Sequence, residues 1–238
     1  MCLCVLSPLD KTTMQTVIEN TFGKIIEYPQ YKHISYDNCL PLYNNLNMSC
    51  FYKTNPVSNM NNLYFLWVLN ENGYALYKSQ PYDYITSLLN HEGKNSLCEL
   101  LKSKALIRNL LAEYSFHKYN YIDVIITISL TELGIEQYNE VINIVLFYIE
   151  KLKCIDISER FYNEIQQCGM VGFTYYEKDN ALSQCIDMVE NMQEYPISDI
   201  IRVNYVYNEY NPQVIKDKIN SLNENNMNIY LVSKKNEL

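Results

Sequence analysis

Along residues 121–130 the chain alternates: Ile122, Val124, Ile126, Ile128 and Leu130 are apolar, while Tyr121, Asp123, Thr127 and Ser129 between them carry polar groups. A period of two puts one set on each face of a strand, so this segment predicts a strand with one buried side. The run Asn62 to Leu69 is apolar at almost every position and predicts a central strand covered on both faces, with Trp67 in the core. Met48 to Thr54, residues 105–118 and Asn228 to Ser233 give three further strand signals, and Cys2 to Leu6 reads as another short buried strand.

Between the strands the period changes to that of a helix. Ser7 and Pro8 form a candidate N-cap and first turn, Leu9, Val17, Ile18 and Phe22 follow at helical spacing, and Gly23 is a stop. Pro81 opens a helix through Tyr84, Ile85, Leu88 and Leu89 that ends in the polar turn Asn90, His91, Glu92, Gly93. Ser96 with Glu99 three residues on predicts a reciprocal capping box and a short helix to about Ser103. Thr131 caps a long helix carrying Leu133, Tyr138, Val141, Ile142, Val145, Ile149 and Leu152, and a second runs from Ser158 to about Glu177. Shorter helices are predicted over 180–192, 197–207 and 212–222. The sum is an α+β chain, its strands in one sheet with helices packed on it. The stretch from Glu27 to about Leu46, rich in Pro, Tyr and Asn and without a sustained period, predicts a surface connector with a domain boundary near residue 28. Cys2 to Ser7 and Asn228 to Ser233 are both short apolar strands ending in Ser, which suggests the last strand of one repeat followed by the whole of the next, in a piece of a longer protein.

Composition narrows the partners. With 238 residues and 48% hydrophobic content the chain is long enough to bury an ordinary core. Its formal net charge of -8 and the lack of a Lys/Arg run before Lys234 and Lys235 argue against nucleic-acid binding, because phosphate recognition needs clustered cations. Basic peptides or free amino termini suit such a surface better. No run reaches the roughly 18 apolar residues of a membrane span, and no basic, apolar leader opens the chain. The eight cysteines are scattered without a Cys-x-x-Cys pair, several inside apolar stretches, and read as reduced core thiols in a cytoplasmic or other intracellular setting; a disulfide framework is the alternative.

Several segments, in order, carry a family resemblance. Leu88, Leu89, Asn90, His91, Glu92, Gly93, then Ser96, Leu97, then Glu99, Leu100, Leu101, Lys102, Ser103, Lys104 resembles a run in the second domain of the insulysin/pitrilysin zinc metallopeptidases. Ile128 to Gly134 is similar to that domain's strand-to-helix junction, Tyr148 to Leu152 to the end of its next helix, and Leu222 to Lys234 to its closing strand. The resemblance implies a peptidase-like fold with one mixed, mostly antiparallel sheet and helices on one face. It also implies that residues 1–27 are the strand and helix ending the preceding catalytic domain, and that 28–238 form the non-catalytic middle domain.

The family's zinc motif, His-x-x-Glu-His, has no counterpart: the three histidines His33, His91 and His117 are not spaced for it, and His91-Glu92 is followed by Gly93, Lys94 and Asn95. The expectation is therefore no catalytic residue, no metal and no cofactor in this chain, with zinc in a catalytic domain outside it. A zinc site assembled from His91, His117 and a carboxylate is the less favoured alternative. The resemblance implies instead an exosite that holds the amino-terminal part of a peptide, with other domains of the same peptidase as further partners. Carried across by motif, its loop is Asn90, His91, Glu92, Gly93 and its strand edge Leu110, Leu111, Ala112, Glu113, with Glu92 accepting the peptide's ammonium and the backbone of Leu111 and Ala112 pairing with the peptide. Ala112, Glu113 and Asn90 stand where glycines occur in the family, which implies a narrower and more acidic groove. The plainer reading is that His91 and Glu92 only terminate a helix. A different class of function, an inactive peptidase-like scaffold subunit of a larger assembly, is the alternative to peptide anchoring.

Overall fold

The computed structural model describes residues 2–26, 48–117, 121–177, 180–205 and 207–236. Its five strands are β1 (Phe51–Thr54), β2 (Asn61–Leu69), β3 (Ile107–His117), β4 (Tyr121–Leu130) and β5 (Met227–Ser233). The helices are α1 (Lys11–Thr21), α2 (Pro81–Leu89), α3 (Leu97–Ser103), α4 (Glu132–Glu136), α5 (Tyr138–Cys154), α6 (Glu159–Thr174), α7 (Ala181–Glu194) and α8 (Pro212–Ser221).

The strands form one sheet in the order β1-β5-β2-β4-β3, with β1 parallel to β5 and every other pair antiparallel. The alternation in β4 decides which face is covered. Ile122, Val124, Ile126, Ile128 and Leu130 are fully buried, joined by Leu63, Phe65 and Trp67 of β2, and the intervening β4 residues stay half-exposed on the open face. Onto the buried face pack α5 through Val141, Val145, Ile149 and Leu152, and α8 through Ile215 and Ile219. Each such aliphatic side chain contributes about 1.5–3 kcal/mol by leaving water, so this shared seam holds sheet and helices together. The α+β class, the mixed and mostly antiparallel sheet and the one-sided helical layer agree with the sequence reading.

Local capping explains most helix starts. Ser96 Oγ accepts the Glu99 N–H (3.0 Å), but the reciprocal half of the box shifts by one residue. Glu99 Oε2 takes the Asn95 N–H, because the Ser96 N–H already donates to the Gly93 carbonyl. Thr131 Oγ1 accepts from the Gly134 N–H (2.9 Å) and donates to the Ala105 carbonyl (2.7 Å), tying the end of β4 to the start of β3.

Four expectations are corrected. Cys2–Leu6 is not a strand: no described strand offers it a ladder, and Leu3, Val5 and Leu6 remain exposed while the Cys2 thiol leans on the Met192 carbonyl of α7. The first helix is capped by Asp10 rather than Ser7, since the Asp10 carboxylate reaches both the Thr12 and Thr13 N–H groups. The helix after Thr131 breaks at Gln137, whose N–H closes α4 on the Leu133 carbonyl and whose carbonyl opens α5. In place of the α-helix expected over 197–207, residues 197–205 form successive turns and a 3-10 turn at Val203–Tyr205. There the Tyr77 hydroxyl and Arg202 hold Asp199, and the Gln80 amide takes the Val203 carbonyl that an α-helix would have used. The connector and the boundary expected near residue 28 lie outside the described residues.

Gly134 is the tightest point of this frame, because a Cβ there would stand 1.9 Å from the Leu106 carbonyl oxygen. Gly134→Ala is expected to lower unfolding stability by about 1–3 kcal/mol through backbone displacement, measured by urea unfolding, despite the higher helix propensity of Ala. An unchanged or raised midpoint would contradict the close approach.

Candidate functional site

The β3 strand forms one edge of the sheet, and α2 lies along it. At the end of α2, Asn90 turns its side-chain amide onto that edge. Asn90 Nδ2 donates to the Ala112 carbonyl (2.8 Å), and the Ala112 N–H donates to Asn90 Oδ1 (2.6 Å). A carboxamide thus offers Ala112 the same donor and acceptor that a neighbouring peptide group would.

In an antiparallel ladder successive residues turn their backbone groups alternately to the partner strand and away from it. With Ala112 turned away from β4, Leu110 and Tyr114 share its direction, and Leu111 and Glu113 are the residues that face Thr127 and Ile125 of β4. The backbone groups turned to the outward edge are therefore those of Leu110, Ala112 and Tyr114, while Leu111 turns its own toward β4. The side chains divide the other way: Leu110 and Ala112 are buried, while Leu111 and Glu113 are exposed on the open face.

The loop after α2 is built around Gly93. His91 is exposed, and its ring folds so close over Gly93 that a Cβ at 93 would meet Nε2 at 2.5 Å. Glu92 turns to α3, where Lys102 Nζ (2.8 Å) and the Cys98 thiol (3.7 Å) both approach its Oε1. The Lys102 hydrogen bond and charge hold the Glu92 carboxyl below the usual carboxylate range, and the same bond raises Lys102. Burial raises the Cys98 thiol. The structure therefore joins Asn90 to Ala112 and sets Glu92 in a charge pair with Lys102. Lys102 and Cys98 escaped the sequence reading as site residues, although the α3 start at Ser96 places both, four apart, on one helix face.

The other histidine of the zinc alternative, His117, lies apart from this loop. His117 pairs with Asp123 (3.0 Å) and stacks on Tyr121 at the far end of β3, while burial raises the Asp123 carboxyl against the smaller effect of His117. Among the described residues no three His, Cys, Asp or Glu side chains gather in a way that could hold a metal ion. The described residues do not fit a zinc centre, so no chemistry is assigned through one. Among the described residues, no helix is long and apolar enough to cross a membrane.

Comparison with known proteins supplies the relationship. A family profile described as the middle or third domain of peptidase_M16 matches residues 173–238. Nardilysin of Pongo abelii is 29% identical over 245 residues, covering 100% of this chain and 21% of the relative. The insulin-degrading enzyme of Bos taurus is 25% identical over 241 residues, covering 98% of this chain and 23% of the relative. The chain thus spans about a fifth of the length of these curated relatives. The crystal structure of pitrilysin superposes with a TM-score of 0.89 at 17% identity, over 96% of this chain and 24% of the other. Together with the ordered motifs from Leu88 to Lys234, these matches show that the chain belongs to the insulysin/pitrilysin family of M16 peptidases, with the fold of its middle domain.

Proposed function

We propose that this chain is a non-catalytic wall of an insulysin-like zinc metalloendopeptidase, and that it anchors the amino-terminal part of a peptide along β3. One observation carries the reading: the outward N–H and C=O of Ala112 are held by the Asn90 carboxamide. An incoming peptide group can replace that carboxamide bond for bond, so strand addition exchanges equivalent hydrogen bonds and leaves no buried group unpaired. Glu92 supplies the acceptor for the α-ammonium. Lys102 and Cys98 occupy its Oε1, and its Oε2 is available to a second cation. On this reading residues 1–27 are the end of the preceding catalytic domain, and the zinc and its bond-cleaving chemistry belong to that domain.

Isothermal titration with a free amino-terminal peptide and its acetylated counterpart tests the anchor. The free form is expected to bind roughly 5–10-fold more tightly, a margin of about 1–1.4 kcal/mol for one charge-assisted hydrogen bond. Glu92→Gln is expected to erase that margin. Equal affinities for the two peptides would end the amino-terminal reading.

The pH dependence has a definite sign. The α-ammonium deprotonates near about pH 8, so affinity for the free peptide falls above that value. Because Lys102 holds Glu92 below the ordinary carboxylate range, affinity persists through pH 5 and is lost only on stronger acidification. Loss of the free-peptide advantage already between pH 6 and 5 would point to a group other than Glu92.

Asn90→Ala separates stability from access to the edge. It is expected to cost about 1–2 kcal/mol of folding stability by removing two hydrogen bonds, and to speed amide exchange at Ala112. Peptide affinity rises, since no side chain then competes for the edge. Weaker binding in this variant would show that the peptide does not use Ala112.

A further inference from the structure

Beyond the edge and the loop, α2 and β3 frame a cavity of about 330 Å³, lined by Gln80, Asp83, Tyr114, Phe116, Tyr195 and Asn204. It adjoins a second cavity of about 240 Å³ that shares Phe116, Tyr195 and Asn204 and adds Tyr74 together with Glu190 and Glu194. The two linings contain three carboxylates and four aromatic rings, and no Lys, Arg or His.

The aromatic walls are fixed by one another. Tyr114 packs on Phe116 (5.1 Å between ring centres), Phe116 meets Tyr74 edge-on (5.7 Å), and Tyr74 meets Tyr195 (5.8 Å). Phe116 is further held by Gly73, where any Cβ would fall 2.2 Å from its ring. Asp83 is aimed by two hydroxyls: Tyr114 donates to Oδ1 (2.7 Å) and Tyr207 to Oδ2 (2.5 Å). The nearby cations are used elsewhere, with Lys78 on Glu209 and Arg202 on Asp199. Among the described residues no basic side chain comes within ion-pair reach of Asp83, Glu190 or Glu194.

A carboxylate in a cavity lined by aromatic rings favours a flat or alkylated cation, because a cation lying over the negative face of a ring gains attraction beyond that of the acid. We infer that this cavity binds the guanidinium or ammonium of an arginine or lysine side chain carried by a peptide lying along β3. The choice of a peptide as carrier rests on the proposed function. It is consistent with the layout, since α2 rises about 10 Å from Asp83 to Asn90, the span of about three extended residues. A strand added at Ala112 therefore brings a side chain a few positions further along to Asp83.

The test uses the 238-residue chain and peptides blocked by acetylation and amidation, so the outcome does not depend on an amino-terminal anchor. The probe carries one internal arginine, and its control carries citrulline, a neutral isostere. Titration calorimetry is expected to show the arginine peptide binding roughly 10-fold more tightly than the citrulline peptide, with amide shifts at Gln80, Asp83, Tyr114 and Phe116 in heteronuclear NMR. Asp83→Asn removes that preference. Because Asp83 also holds two tyrosine hydroxyls, Phe116→Leu is a second variant that keeps the hydroxyl bonds, and it should lose most of the preference with the fold intact. Equal binding of arginine and citrulline peptides, or a preference that survives both variants, overturns the proposal. Tighter binding of free spermidine than of the arginine peptide overturns the assignment to a peptide side chain. Loss of the free-over-acetylated preference at Glu92 with the arginine preference retained would remove the anchor alone, so the two readings fail separately.

Discussion

The proposed peptide site depends on how α2 covers the outer edge of β3. A strand at a sheet edge carries backbone donors and acceptors with no ladder partner, and leaving them unpaired is costly wherever water is excluded. Here α2 meets the edge at both ends. Asn90 closes one end by bonding the Ala112 backbone, and Asp83 meets the other through the Tyr114 hydroxyl. Both contacts are polar and replaceable, in contrast to the apolar seam of α5 and α8 against β2 and β4. The rigid part of the fold thus lies in the middle of the sheet, and the exchangeable part at its edge.

That division suits a binding wall better than a reactive centre. Two of the acidic groups near β3 lie along α2 and the turn after it, with Asp83 in the first turn and Glu92 beyond the last. Among the described residues neither joins a group of His, Cys, Asp or Glu that could hold a metal ion, and each is oriented by different neighbours: Tyr114 and Tyr207 for Asp83, Lys102 and Cys98 for Glu92. On the proposed reading, such spaced single charges would each meet a cation at its own position along an extended peptide. General acid–base work would instead need two titrating groups converging on one bond.

The departures from glycine also acquire a physical meaning. Asn90 adds a carboxamide that caps the edge, so the free domain has no open ladder at Ala112 on which copies could stack. Ala112 keeps its small side chain buried against the helix layer, and Glu113 projects from the open face with no part in the edge. Of these three residues Asn90 is the one that bonds the edge at Ala112, and Glu113 lies on the exposed side of the strand.

The sequence by itself determined what period and local chemistry can encode. The two-residue alternation of 121–130 gave β4 and its buried face, Pro81 and the turn at Asn90 bounded α2, and Ser96 and Thr131 capped the helices that follow. Ordered motifs from Leu88 to Lys234 carried the family and the position of the candidate edge. What only the tertiary structure decided is which groups meet across the chain. Cys2–Leu6 has the composition of a strand but no ladder with any described strand, and residues 197–207 have helical composition, yet the Val203 carbonyl accepts from Gln80 and the Asp199 carboxylate from Tyr77. The same holds at the site: a register offset of one residue decides that Ala112 and not Leu111 faces outward, and the acidic aromatic cavity joins residues 80–83, 114–116 and 190–204. Sequence periodicity fixes a face within one element, whereas hydrogen-bond direction and the convergence of distant rings are set only when the elements pack.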